Sequence, residues 1–241
     1  MAFSHGKDAK VFANGRRISD YLRSFSTPAS RDQAESSTYI SSWKAYTAGL
    51  IETTFAASGI FDGGTAAVDE QLQATFGTTG AVWTFFPYGS DAGKYGYGWA
   101  ASENSYEIDA PVDDVVSVSV ECVSASGYGR QRVRSLHDEQ TARSTSGTSS
   151  SQDNGTATAL GGAAYLHVPA FSGSGTATIK IQDSANDSTF ADLFTFAGVA
   201  GAGTAQRIEL PAGGTVARYT RVVWTLTGSP TINFSASHSR R

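Results

Sequence analysis

The sequence predicts a mainly β protein with one short helix, followed at its C-terminal end by a second, antiparallel β-sandwich. Three observations predict it. Apolar and polar residues alternate with period two in a series of short runs. Those runs are punctuated by Gly, Pro and Asn turn signals. Only one stretch, after Gly63 and Gly64, carries apolar residues that recur at fours.

The elements follow in order. "AKVFANGRRIS" (9–19) reads as a strand, an Asn14-Gly15 turn and a returning strand. Residues 27–48 are polar and carry Tyr39, Trp43 and Tyr46 without a sustained period. A structureless connection of that length is unusual inside a compact domain. It is therefore expected to be an extended arm or hairpin that packs on something else. In "LIETTFAASGIF" (50–61), Ile51, Phe55, Ala57 and Phe61 share one face, and Glu52, Thr54 and Ser58 share the other.

A helix is expected near 65–76, with Val68, Leu72 and Phe76 on its apolar side. Asp62 or Thr65 is placed to cap it, Asp69 and Glu70 suit its positive end, and Gly77 stops it. The Asp62-Gly63-Gly64 hinge resembles a phosphate cradle only superficially, because no Lys or Arg falls in the first turn; it reads as a turn. Strands resume at 81–89, 94–102 and 115–123. In the last, Cys122 shares the apolar face with Val116, Val118 and Val120, as a buried inert thiol.

This first domain is expected to span 1–134. Residues 135–162 are rich in Ser, Thr and Gly and read as a linker or mobile loop. Residues 163–241 then alternate clearly. Ala164, Leu166 and Val168 point inward, as do Ile179, Ile181, Val222, Trp224, Ile232 and Phe234. His167, Tyr165 and Tyr219 are expected to face solvent.

Composition narrows the function. The chain has 241 residues, 17% of them charged, with 26 Gly, 13 Phe, 10 Tyr and 4 Trp, enough apolar surface for a core without disulfides. A net charge of −4 argues against wrapping duplex DNA through phosphate contacts. No secretory leader or membrane-length apolar run is visible, so a soluble chain without membrane insertion is expected.

Chemistry-bearing motifs are scarce. His5, His137, His167 and His238 have no metal-ligand spacing, and no hydrolase, nucleotide or zinc motif occurs. No catalytic residue, metal or cofactor is expected, and the chain is read as a non-enzyme. "DSANDS" (183–188) lacks the Gly and Glu of a calcium loop and reads as an Asx turn. The glycines of "GKYGYGW" (93–99) read as close packing, with an aromatic binding platform as the alternative. Arg130, Arg132 and Arg134 alternate along one strand and read as a basic edge.

The order of features carries one resemblance. "FSHGKDAKVFANGRRIS", the polar arm, "WKAYTAGLIETTFAASGIFDGG", "AVDEQLQATFG" and "YGYGWAASENSYEIDAPVDDVVSVSVECVSAS" together resemble the major tail tube proteins of long-tailed bacteriophages. The resemblance covers about residues 1–134. It implies a tail-tube-type β-sandwich or barrel that forms hexameric rings, which stack into a hollow tube for the genome. It also implies an arm that reaches a neighbouring subunit, with Tyr39, Trp43, Tyr46 and Arg31 at the inter-subunit interface. The implied partners are further copies of the chain, tape measure and tail terminator proteins, and DNA that passes through the lumen without specific binding. The implied location is the virion tail, assembled in the host bacterial cytoplasm. The segment after Ala163 is similar to second halves of related virion proteins and would decorate the tube. A glycan- or host-surface-binding sandwich, or another virion decoration protein, stays open as the alternative.

Overall fold

The structure is a computed structural model that describes residues 6–40, 42–125, 127 and 129–241. His5 lies outside the described residues. The strands are β1 (Lys10–Ala13), β2 (Arg16–Arg17), β3 (Leu22–Ser26), β4 (Ala29–Glu35), β5 (Tyr46–Ile60), β6 (Thr79–Phe86), β7 (Tyr95–Asp109), β8 (Ser117–Ser124) and β9 (Gln131–His137). They continue with β10 (Gly147–Thr148), β11 (Gln152–Asp153), β12 (Gly162–Ser172), β13 (Gly175–Ser184), β14 (Ala191–Thr195), β15 (Thr204–Leu210), β16 (Tyr219–Gly228) and β17 (Thr231–Arg240). Among the described residues one α-helix, α1 (Val68–Thr75), separates β5 from β6, and a short 3-10 turn, Gly6–Asp8, precedes β1. The protein is mainly β, and every strand pairing is antiparallel.

Local chemistry accounts for the first hairpin. β1 pairs with β2 around Asn14 (φ 41°) and Gly15 (φ 97°), the two left-handed positions that a tight two-residue turn demands. β1 then pairs with β6, and β6 with β7. The long β7 also takes β8 and β9 as partners, and β8 pairs with β5.

The core of this first half holds Phe55, Trp83, Trp99, Val118, Val120 and Cys122, all buried. The Phe55 and Trp99 rings stack 3.9 Å apart, nearly parallel. α1 closes the core with Val68 and Leu72. It starts after the expected boundary, and Ala67 occupies the cap position without a side-chain bond. Asp62 instead folds its own turn, accepting the Gly64 N–H at 2.9 Å, while Glu70 accepts the N–H of Ala66. Phe76, expected on the apolar side, is 45% exposed, because its extended backbone leads the chain off the helix into Gly77 at φ 77°.

The segment expected as a linker or mobile loop is built into the fold. It supplies β10 and β11, both paired with β16. Gly147 sits where a Cβ would meet the Trp224 ring at 2.6 Å, and the Trp224 Nε1–H donates to the Thr145 carbonyl at 2.8 Å. Small residues here are what allows close packing.

The second half is a sandwich whose two layers belong to different sheets. β13, β14 and β16 with β10 and β11 form a 5-stranded sheet. The facing layer, β15-β12-β17, continues through β9 into the 12-stranded sheet of the first half. Ile179, Ile181, Val222 and Trp224 meet Leu166, Val168, Ile232 and Phe234 between them.

The other face of β12 is covered as well. Tyr165 and Ala163 pack with Phe12, Val82, Phe86 and Val133 from the first half. A strand buried on both faces hides its outward residues too. Tyr165 and His167 are therefore buried at 0% and 1% exposure, which corrects the expectation that both face solvent. Arg132 and Arg134 lie on β9, which runs between β7 and β17 rather than at a sheet edge, and Arg132 is exposed on its face.

Candidate assembly surface

The most exposed apolar surface is an arm made from β4, the start of β5 and the loop between them. β4 is exposed along its whole length, and so are the first seven residues of β5, Tyr46–Glu52. From Thr53 to Gly59 β5 alternates between buried and partly buried residues. The body of the protein ends at that point, and the hairpin projects beyond it with both faces solvated. Ile51, which alternation puts on the same face as the buried Phe55 and Ala57, is consequently 69% exposed.

The arm is ordered by its own pairing. Register runs from Ala29 opposite Thr53 to Glu35 opposite Tyr46, with an irregularity between Arg31 and Gln33. At the tip Ser36 N–H donates to the Ala45 carbonyl at 2.8 Å, and the Ala45 N–H donates to Ser37 Oγ at 2.9 Å. Lys44 pairs with Glu35 at 3.2 Å across the same turn. Arg31 Nε donates to the Gly49 carbonyl at 3.2 Å, so one of its donors is spent inside the hairpin.

The aromatic residues singled out from sequence lie on this arm. Tyr39 and Trp43 are essentially free of contact, and Tyr46 is 54% exposed. Ile40, Leu50 and Ile51 extend the same apolar surface. Where the arm leaves the body, a groove of about 790 Å³ opens between Arg31, Leu50 and Ile51 on one wall and Val123 and Arg130 on the other.

A second surface feature is a ladder of cations on rings. The Arg130 guanidinium lies 4.3 Å from the Tyr97 ring centre, and Arg132 lies 4.0 Å from that of Tyr95. Arg134 covers Tyr95 from 5.6 Å. The neighbouring glycines serve packing: a Cβ on Gly96 would meet the Phe85 carbonyl oxygen at 2.4 Å, and one on Gly98 the Tyr165 ring at 2.8 Å.

Burial shifts several titratable groups inside the body toward their neutral forms. Burial pushes the Glu103 carboxyl up to about 7, against the opposing bond from the Thr75 hydroxyl. Burial likewise raises the Cys122 thiol, as expected of an inert cysteine, with Glu103 adding to the shift. Tyr106 O–H donates to Asp69 at 2.5 Å and ties β7 to α1. His167 and His238 are both pushed down to about 3, each chiefly by burial. In the 183–188 turn, Asn186 Oδ1 accepts the N–H groups of Ser188 and Thr189, the Asx arrangement expected there. Among the described residues no three His, Cys, Asp or Glu side chains converge as a metal site, and no helix is long and apolar enough to cross a membrane.

The fold defined by these elements is an antiparallel, mainly β architecture with one helix and a projecting hairpin. No protein-family model matches the sequence, and no curated protein matches it. Solved structures do resemble it, and phage tail proteins are among them. The SPP1 tail tube is similar at a TM-score of 0.46 and 11% identity, over 54% of this chain and 78% of that one. The tail of a gene transfer agent particle, described with C6 symmetry, is similar at 0.43 and 16% identity, over 52% and 96%. The SPP1 Dit protein, described as a hub adsorption apparatus protein of phages infecting Gram-positive hosts, is similar at 0.37 and 10% identity, over 96% and 99%.

Proposed function

We propose that this chain is a structural virion protein whose copies form rings, six to a ring, that stack into the tube of a bacteriophage tail. The projecting arm is the observation that carries the reading. Tyr39, Ile40, Trp43, Tyr46, Leu50 and Ile51 together expose more apolar side chain than a lone chain has reason to order on a paired hairpin. Burying a large apolar side chain fully stabilises by roughly 1.5–3 kcal/mol. Six of them on a neighbouring copy offset the ~4–15 kcal/mol cost of association. Tyr39, Trp43 and Tyr46 are the interface anchors in this reading, with Arg31 holding the hairpin and offering its remaining donors to the neighbour.

The tube-like unit is residues 1–134, with residues 163–241 lying outside the ring. DNA passes through the lumen without specific contacts, in keeping with a chain of net charge −4. Tape measure and terminator proteins meet the tube at its inside and end, and the chain takes part in no catalysis. The place of action is the virion tail after assembly in the host cytoplasm. The glycan-binding alternative is weakened, since Tyr165, expected at the surface of the second half, is buried.

Negative-stain electron microscopy with light scattering over a range of concentrations tests the reading. Rings or tubes of uniform width are expected. A chain that stays monomeric throughout, or binds sugars on a glycan array as a monomer, overturns it.

A further inference from the structure

The molecule is electrically polarised along β7. At the strand's start lies the ladder of Arg130, Arg132 and Arg134 on Tyr97 and Tyr95. At its end, the last residues of β7 and the turn into β8 carry Glu107, Asp109, Asp113 and Asp114, all exposed. The sequence holds no Lys or Arg from Tyr95 to Gly129 to balance them.

Within the chain the Asp153 carboxylate, itself paired with Arg218, is the acidic group that feels Arg134. Among the described residues, none of these three arginines and four acids forms an ion pair. Arg130 donates to the Thr27 carbonyl, and Arg134 to the Asp153 carbonyl and the side chains of Asn154 and Gln152, all uncharged acceptors. Arg132 is exposed, and its only described partner is the Tyr95 ring.

Distance keeps the poles apart. An extended strand rises about 3.3 Å per residue, which puts Tyr95 and Asp109 up to about 46 Å from each other. Screening at physiological salt extends only about 8 Å. At that separation neither pole neutralises the other.

We propose that the acidic β7–β8 tip of one copy docks on the arginine–tyrosine ladder of the next copy, head to tail. Charge is complementary, and so is apolar surface: Ile108, Val112 and Val115 are exposed at the tip, and Tyr88 and Tyr95 beside the ladder. A nucleic acid strand, by contrast, meets a protein of net negative charge. A head-to-tail contact joins two different surfaces and so gives the assembly a direction, closing into a ring where the rotation between copies completes a circle and running along an axis where it does not. The inference rests on the tube reading above, and adds to the arm a second, electrostatic contact that sets polarity.

The test measures light scattering of the full chain at low and high salt for the unaltered protein, Arg132→Glu, Asp113→Arg and the double variant. Both positions are exposed, and a thermal melt checks that each variant folds. Each single variant is expected to raise the concentration needed for association by about tenfold or more at low salt, with less effect at high salt. The double variant, which exchanges the charges, is expected to recover. Single variants that assemble like the parent, or a double variant no better than the singles, overturn the docking while leaving the tube reading intact. Loss of binding to a DNA fragment in Arg132→Glu, with self-association unchanged, overturns it in favour of a nucleic-acid site. A parent chain that never associates removes both readings together.

Discussion

His167 stacks on Phe12 with ring centres 5.3 Å apart, and its Nδ1 accepts the Gly15 N–H at 3.2 Å. A residue of the second half thereby orders the first turn of the chain. Around it, Gly15 lies so close to Gly203 that a Cβ would meet that residue's backbone at 2.5 Å, and Arg16 donates to the Pro169 carbonyl at 2.7 Å. The two halves of the sequence are joined by a packed seam.

Buried histidines, His167 at this seam and His238 beside Thr220 inside the second half, make stability sensitive to acid. His167 and His238 are held near 3, whereas an unfolded histidine titrates near 6.5. Above pH 6.5 both states are neutral and the groups contribute nothing. Below it the unfolded chain takes up protons that the folded chain refuses, so stability falls as pH drops from 6.5 toward 3. The limit is about 1.4 kcal/mol per pH unit for each histidine. Urea midpoints measured from pH 7 to pH 4 are expected to decline. His167→Asn, which keeps an acceptor for Gly15, is expected to be less stable at pH 7 and to decline less steeply.

Glu103 acts in the opposite sense. Its folded value of about 7 lies above its ordinary 4.5, so the folded state holds the proton more tightly. Its contribution is greatest below pH 4.5 and is lost as pH rises through 7. Glu103→Gln keeps an acceptor for the Thr75 hydroxyl and has no charge to bury. After allowance for solvent screening, the variant is expected to gain on the order of 1 kcal/mol at pH 8 and nothing at pH 4. Denaturant titration at the two pH values reads the difference directly.

Gly98 faces the Tyr165 ring across the seam. A methyl group there would stand 2.8 Å from the ring, well inside contact distance, and Tyr165 is itself fully buried. Gly98→Ala is expected to cost about 1–3 kcal/mol, the range typical of overpacking. Gly77→Ala meets no nearby atom but sits at φ 77°, so its smaller cost comes from backbone strain alone. Unfolding curves of the two variants separate packing from backbone conformation.

How far the sequence revealed this structure depended on whether the deciding interactions were local. Asn14-Gly15 was readable because two left-handed residues need no help from distant parts of the chain. Val68 and Leu72 were readable from their spacing, as was Cys122 from its strand. His167 and Tyr165 were not, because alternation marks one buried face and cannot show that the first half covers the other. The 135–162 segment looked mobile because its residues are small, yet smallness is what lets Gly147 lie on Trp224. Tyr39, Trp43 and Tyr46 were legible as aromatics out of place in a polar stretch. Leu50 and Ile51 were missed as arm residues because nothing in their local pattern shows where the body ends.

The arm separates folding from association. Trp43 is 87% exposed and touches nothing that holds the body together, and Tyr39 is still more exposed. Exposed substitutions away from special features usually change stability by less than about 0.5 kcal/mol. Tyr39→Ser and Trp43→Ser are therefore expected to melt within a degree or two of the parent. Association should behave differently, because buried aromatic anchors commonly cost more than about 2 kcal/mol when truncated at an interface. Each variant should then need roughly thirtyfold more protein to assemble. Val120→Ala, deep in the first core, provides the converse control: it should lower the melting temperature while leaving the arm's apolar surface in place. If Trp43→Ser instead lowers the melting temperature as Val120→Ala does, the arm is folded against its own chain in solution. If it melts and assembles like the parent, the arm is not where copies meet.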